Sequence, residues 1–218
     1  MALSITRKPD KSIVACSDDP VYGLNFDGLN PDYVSASGFT GFDTNDAMVY
    51  TFEVNGDEAV FDARGTVDQR GFFCQLTSNI TFQMVSAGGQ RIRVRWTNPY
   101  NGDGLYHIFK ITKGTGVTAS VMSCSIDGVD QGAPTVIFDN MTSVALSLGG
   151  INIGAKRLAA SGITPFTGIM KYVNIEILGA SELECNFNIP VADQALTFLE
   201  QSPNLYTMTI NGQPAHRS

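Results

Sequence analysis

The sequence predicts an all-β protein built from short antiparallel strands, and three observations carry that prediction. Apolar residues recur with a period of two in one segment after another, the spacing that sends alternate side chains to opposite faces of a strand. Turn-forming Gly, Asn and Asp separate these segments at short intervals, which favours antiparallel pairing in a sandwich, jelly roll or barrel. No segment carries a helical stripe of useful length, and VADQALTFLEQ (191–201) is the best candidate for a turn or two of helix.

In chain order, YGLNFDGLNPDYVSASG (22–38) begins apolar, breaks at an Asp, Asn and Pro cluster, and resumes with Tyr33 and Val34. AMVYTFEV (47–54), NITFQMV (79–85), RIRVRW (91–96) and GLYHIFKI (104–111) are short and rich in β-branched or aromatic residues, as strands are. SVMSCSI (120–126), TSVALSL (142–148), GIMKYVNIEIL (168–178) and LYTMTI (205–210) continue the series. Asn55-Gly56-Asp57, Gly88-Gly89, Asn101 to Gly104, Asp127-Gly128, Gly149-Gly150 and Asn211-Gly212 read as turns between them. The expected organisation is a basic, polar arm at 1–19, one sandwich domain at 20–182, and an extension at 183–218 adding edge strands to the same domain.

The chain has 218 residues, 43% hydrophobic and 16% charged, which is enough apolar material for a substantial core. Its net charge of -7 repels phosphate backbones and anionic bilayers, so neither nucleic acid nor membrane insertion is expected. Arg7, Lys8, Asp10 and Lys11 interrupt the place where a secretory apolar run would lie, and no window is long and apolar enough for a spanning helix. Cys16, Cys74, Cys124 and Cys185 are widely spaced with no C-x-x-C pair, so reduced, buried thiols are expected rather than zinc or disulfides.

Three stretches, in order, resemble the laminin G-like and concanavalin A-like β-sandwich family. LNFDGLNPDYV (24–34) is similar to its opening strand, and DGLYHIFKITKGTGVTASVMSCSIDGV (103–129) to its central hairpin, with Tyr106 where a Trp is usual. GGINIGAKRLAASGITPFTGIMKYVNIEIL (149–178) is similar to its closing signature. The resemblance implies a concanavalin or laminin G-like antiparallel β-sandwich of jelly-roll type. Lectins, glycanases, adhesion modules and bacteriophage tail, fibre and capsid proteins share that architecture, and related sandwiches bind calcium at loop rims.

The candidate sites follow from residue chemistry. Asp27, Asn30 and Asp32 offer oxygen ligands for calcium, although they lack a regular loop spacing, Pro31 stiffens them, and a tight corner needs the same residue types. Arg91, Arg93 and Arg95 stand at i, i+2 and i+4, so they project from one sheet face while Ile92, Val94 and Trp96 point to the core. Such a row suits an anionic glycan or a partner's carboxylates; the alternative is a solvated face paired with neighbouring acids. Tyr100 and Asp103 in TNPYNGDG (97–104), and Phe166 in LAASGITPF (158–166), suit sugar stacking or subunit contact if exposed. A glycanase carboxylate pair is missing, Glu182 and Glu184 lying after the closing strand. His107 and His216 assemble no nucleophilic triad. The Asn79 and Asn140 sequons read as accidental.

These features lead to the expectation of a non-enzymatic structural or attachment protein of a bacteriophage particle, a virion component made in the host cytoplasm. Its expected partners are other virion proteins, a host cell-surface glycan and further copies of itself; no cofactor is expected beyond the calcium alternative. A free carbohydrate-binding lectin is the alternative, and a polysaccharide hydrolase stands behind it.

Overall fold

The computed structural model describes residues 13–15, 24–27, 33–37, 41–65, 70–146, 148, 150–157, 163–187, 197–199 and 207–211. Their order begins β1 (Ile13–Ala15), β2 (Leu24–Asp27), β3 (Tyr33–Ser37), β4 (Phe42–Asp43), β5 (Met48–Asp62), β6 (Gly71–Leu76) and β7 (Asn79–Val85). It continues with β8 (Arg91–Thr97), β9 (His107–Lys113), β10 (Met122–Ile126), β11 (Val129–Asp130), β12 (Thr135–Asp139) and β13 (Ala145–Leu146). The last are β14 (Gly150–Ile153), β15 (Ala155–Arg157), β16 (Ile163–Ile177), β17 (Ala180–Asn186), β18 (Thr197–Leu199) and β19 (Thr207–Asn211).

All pairings are antiparallel; β4 and β13 form a separate two-stranded sheet, β15 pairs with the start of β16, and the rest form two runs that share β5. One run is β12–β8–β7–β6–β5–β14–β3–β19–β18. The other is β11–β10–β9–β5–β16, with β17 and then β2–β1 taking successive lengths of β16. Met48–Val54 of β5 pair with β9, whereas Glu58–Asp62 pair with β6, so a single strand passes from one layer into the other.

The core lies between the layers. Tyr50 from the β9 side of β5 meets Phe72 and Phe82 of the opposing run at ring-centroid distances of 5.1 and 4.9 Å, and Phe61 at 5.4 Å. On β8 the alternation resolves as expected: Ile92, Val94 and Trp96 are buried and the arginines between them are half-buried. Burying each such apolar side chain contributes about 1.5–3 kcal/mol.

Several strands differ from the expectation. The Asn55-Gly56-Asp57 turn is absent, because β5 runs straight through it. Gly56 there faces Gly168 of β16, and a Cβ at either glycine would sit 2.1 Å from a backbone oxygen of the other strand. The strands therefore cross too closely for any side chain. Among the described residues of 142–148, only Ala145–Leu146 form a strand, β13. Within 191–201, the best candidate for a turn or two of helix in an extension expected to add edge strands, Thr197–Leu199 form β18, and within the N-terminal arm Ile13–Ala15 form β1. Asp127-Gly128 forms the expected two-residue hairpin turn, with φ of 50° and 81° joining β10 to β11.

Cys74, Cys124 and Cys185 are buried and unbridged, while Cys16 lies outside the described residues. Burial raises the Cys74 thiol well above its ordinary value and pushes Cys124 up to about 12, so both are inert as nucleophiles.

Candidate functional site

Where β5 crosses β16, the end of the sandwich opens into a pocket of about 300 Å³. Its floor is Gly56 and Gly168, and the 98–105 loop that leads into β9 forms a wall. That loop is tied down at three points. Asn98 Nδ2 donates to Thr77 O at 3.0 Å, Asn55 Nδ2 donates to Gly104 O at 2.7 Å, and Asp103 Oδ1 accepts from Leu105 N at 2.9 Å. Gly102 and Gly104 adopt φ of 79° and 76°, which lets the chain double back within so few residues.

Behind the wall is a cluster centred on His107. Its Nδ1 lies 2.6 Å from Asp127 Oδ2 and its Nε2 lies 2.9 Å from Asp103 Oδ2, so the ring bridges two carboxylates. Tyr100 stacks on the imidazole with centroids 4.1 Å apart and an interplanar angle of 17°. Burial opposes protonation of His107, but the hydrogen bonds and charges of Asp127 and Asp103 outweigh it and raise its pKa. The fold thus favours the imidazolium more than water does, and in that form both N–H groups donate to the carboxylates. Tyr100 lines the pocket with one ring face taken by His107, and Asp57 lines it without a hydrogen bond or ion pair among the described residues.

A second feature occupies the outer face of the β12–β8–β7–β6–β5 layer. Register places Phe138, Arg93, Gln83, Phe73, Asp62 and Asn152 directly opposite one another across six strands; Phe138 and Arg93 are half-buried and the other four are buried. Arg91 Cζ sits 3.6 Å above the Phe138 ring. Arg64 Cζ and Lys156 Nζ both cover Phe73, at 4.3 and 4.9 Å from its centroid. Arg64 grips Asp62 through Nε and Nη2 at 3.0 and 2.8 Å. Lys156 donates to Gln75 Oε1 at 3.1 Å, and Gln75 Nε2 donates to Glu58 Oε2 at 2.6 Å. Arg93 and Arg95 differ from these, for each has a solvent-shielded Nε with no hydrogen-bond partner. Burial, then the charges of Arg95, Arg91 and Arg64, lower the Arg93 pKa.

The expected site residues separate accordingly. The arginine row holds as a geometric unit, and Tyr100 and Asp103 share the pocket. Phe166 departs from expectation: it is fully buried in β16, edge-on to Phe26 at 5.8 Å, so it is core and not a contact residue. LAASGITPF had the composition of a loop, but the Ala155↔Pro165 pairing keeps 163–166 in the sheet, while 158–162 lie outside the described residues. Asn30, Asp32 and the Asp27 side chain lie outside the described residues, and among those described no cluster of three metal-ligating side chains occurs. Asp57, Asp127, Arg64, Phe73 and Lys156 were missed. Only cross-strand register or a 20-residue separation brings them to the sites; the one local signal was the Asp103 and His107 spacing.

No family model and no curated protein matches this sequence. Among solved structures, it is similar to mouse laminin alpha1 chain domains LG4-5, with TM-score 0.55 and 13% identity, over 77% of this chain and 45% of that one. It is also similar to a Bacteroides ovatus protein assigned as carbohydrate-binding, with TM-score 0.51 and 13% identity, over 84% of this chain and 58% of that one. This chain therefore spans about half the length of each. The architecture is that of the laminin G-like β-sandwiches.

Proposed function

We propose that this protein is a non-enzymatic carbohydrate-recognition domain that receives a saccharide ring in the pocket at the β5–β16 crossing. The observation that carries the reading is Tyr100 propped flat on His107 at the wall of a pocket of about 300 Å³. A fixed aromatic ring packs on the C–H face of a sugar, while nearby carboxylates and backbone groups meet its hydroxyls. Asp57 supplies the open acceptor, and His107 fixes the ring so that little ordering entropy is lost on binding. The carbohydrate-binding assignment of the Bacteroides ovatus neighbour points the same way. Hydrolysis would need two working carboxyl groups, but Asp103 is already committed to His107 and Leu105 N, which leaves Asp57.

A glycan array probed with the whole chain tests this. Wild type is expected to bind a discrete set of glycans. Tyr100→Ala and Asp57→Asn are expected to weaken that binding at least about tenfold, about 1.4 kcal/mol, while each remains folded by circular dichroism. An array silent for wild type, or signals indifferent to both substitutions, would overturn the reading.

Val129, Val136 and Ile137 are 60%, 50% and 38% exposed at the β11 and β12 end of the layers, and they favour a second reading. In it the domain is a virion subunit that packs these side chains against a neighbouring protein and displays the pocket in many copies, so that weak single contacts sum to avidity. Its test is co-purification with assembled particles and loss of incorporation on Val136→Asp. Unchanged incorporation would rule out this surface as the contact.

A further inference from the structure

The outer face of the β12–β8–β7–β6–β5 layer has no role in the pocket, yet it concentrates charge against the trend of the chain. Five of the 14 Lys and Arg residues, namely Arg64, Arg91, Arg93, Arg95 and Lys156, share it in a protein of net charge -7. Their proximity is electrostatic as well as geometric: burial and then the charges of Arg64 and Arg93 lower the Lys156 pKa. Among the described residues, the acids on this face are engaged, Asp62 by Arg64 and Glu58 by Gln75. Arg93 and Arg95 retain Nε donors that are shielded from water and lack an acceptor, and a charged donor left unmade is costly. The shielded Nε–H stays within the sheet, so an oxyanion meets these half-buried guanidiniums at their outer end, where it would accept from both Nη groups together. Successive side chains on one strand face lie about 7 Å apart and adjacent strands about 4.8 Å apart, so the cations form a strip rather than a point.

We propose that this strip is a binding surface for a linear acidic glycan bearing sulfate or carboxylate groups. Arg93 and Arg95 act as the two forks, and Arg91, Arg64 and Lys156 supply the field along it. The choice of glycan over nucleic acid rests on the rings. Phe73 is covered by Arg64 and Lys156 and Phe138 by Arg91, which leaves neither as an open platform for a base. On the same face the exposed Thr135 stands opposite Arg95 and offers a hydroxyl to a sugar, whereas Thr81 and Gln83 are buried beneath the cations. The strip lies apart from the pocket, so the inference is separable from the function proposed above.

The experiment measures binding of the whole chain to dextran sulfate, polygalacturonate, unmodified dextran and a single-stranded thymidine oligonucleotide at low and physiological salt. Wild type is expected to bind the two acidic polysaccharides, with affinity falling as salt rises, and to ignore dextran. Arg93→Gln with Arg95→Gln is expected to lose about tenfold or more. Arg93→Lys with Arg95→Lys is expected to keep the salt dependence while losing most of the affinity, because an ammonium has no fork. Tyr100→Ala is expected to leave this binding unchanged; its loss in that variant would move the site to the pocket and overturn the proposal. Tighter binding of the oligonucleotide than of dextran sulfate would overturn it as well. Should the arginine variants fail to fold, wild-type protein can be treated with phenylglyoxal and mapped by mass spectrometry. Dextran sulfate is expected to protect Arg93 and Arg95, and equal modification with and without it would overturn the proposal.

Discussion

His107 sets the pH behaviour of the pocket wall. Its pKa is raised in the fold, so the stabilisation it brings is complete below its unfolded value, about 6.5, and is lost as pH climbs through the folded value. The carboxylates behave oppositely. The Leu105 amide lowers Asp103; burial opposes it, and the hydrogen bond and charge of His107 add to the fall. Burial pushes Asp127 up, but His107 and the Ile108 amide outweigh it and lower Asp127 too. Their share is present above about 3.9 and disappears as pH falls through their folded values. The melting temperature is therefore expected to peak between about pH 4 and 6.5 and to fall on the alkaline side. Asp127→Asn should flatten that alkaline limb, and an unchanged limb in this variant would show that the clamp contributes nothing. Phe166 gives the contrasting residue-scale prediction. As a buried ring beside Phe26, its change to Ala should cost about 3–5 kcal/mol in denaturant melts, whereas a surface aromatic would cost little.

Among the elements, the β5–β16 crossing sets the geometry of the pocket floor. Gly168→Ala would drive a methyl to 2.1 Å from Asn55 O at a φ of 128°, and is expected to lower the melting temperature sharply and close the pocket. Gly102→Ala, at φ 79° with nothing within 4 Å, is expected to cost only about 1 kcal/mol of backbone strain. Equal losses from the two would mean that steric crowding is not what requires glycine at the crossing. The same elements show how much could be read ahead. β7 matched 79–85 in full and β8 overran 91–96 by one residue, because each had a clear start and a strand-like composition. β6, GFFCQL, went unseen since both its faces are buried and the apolar run shows no alternation. Asn55-Gly56-Asp57 misled because a glycine demanded by close approach looks like a glycine demanded by a turn. The arginine row was legible because one strand carries all of it; its partners Arg64 and Lys156 were not, because sheet register alone brings them over Phe73.

On the scale of the molecule, one strand belonging to both layers constrains how the fold can come apart. Because Met48–Val54 and Glu58–Asp62 of β5 hold opposite layers, neither layer keeps its pairing if the other is lost. A single transition is expected, with Trp96 fluorescence and far-ultraviolet circular dichroism coincident in urea; separated midpoints would show that the layers unfold independently. β5 also supplies Asn55 and Asp57 to the pocket and Glu58 and Asp62 to the cationic face. Deuterium uptake along this strand would then act as a common meter: a ligand held at either place slows local opening of the same amides, so a labelled peptide spanning 55–62 would register both occupants with one clock.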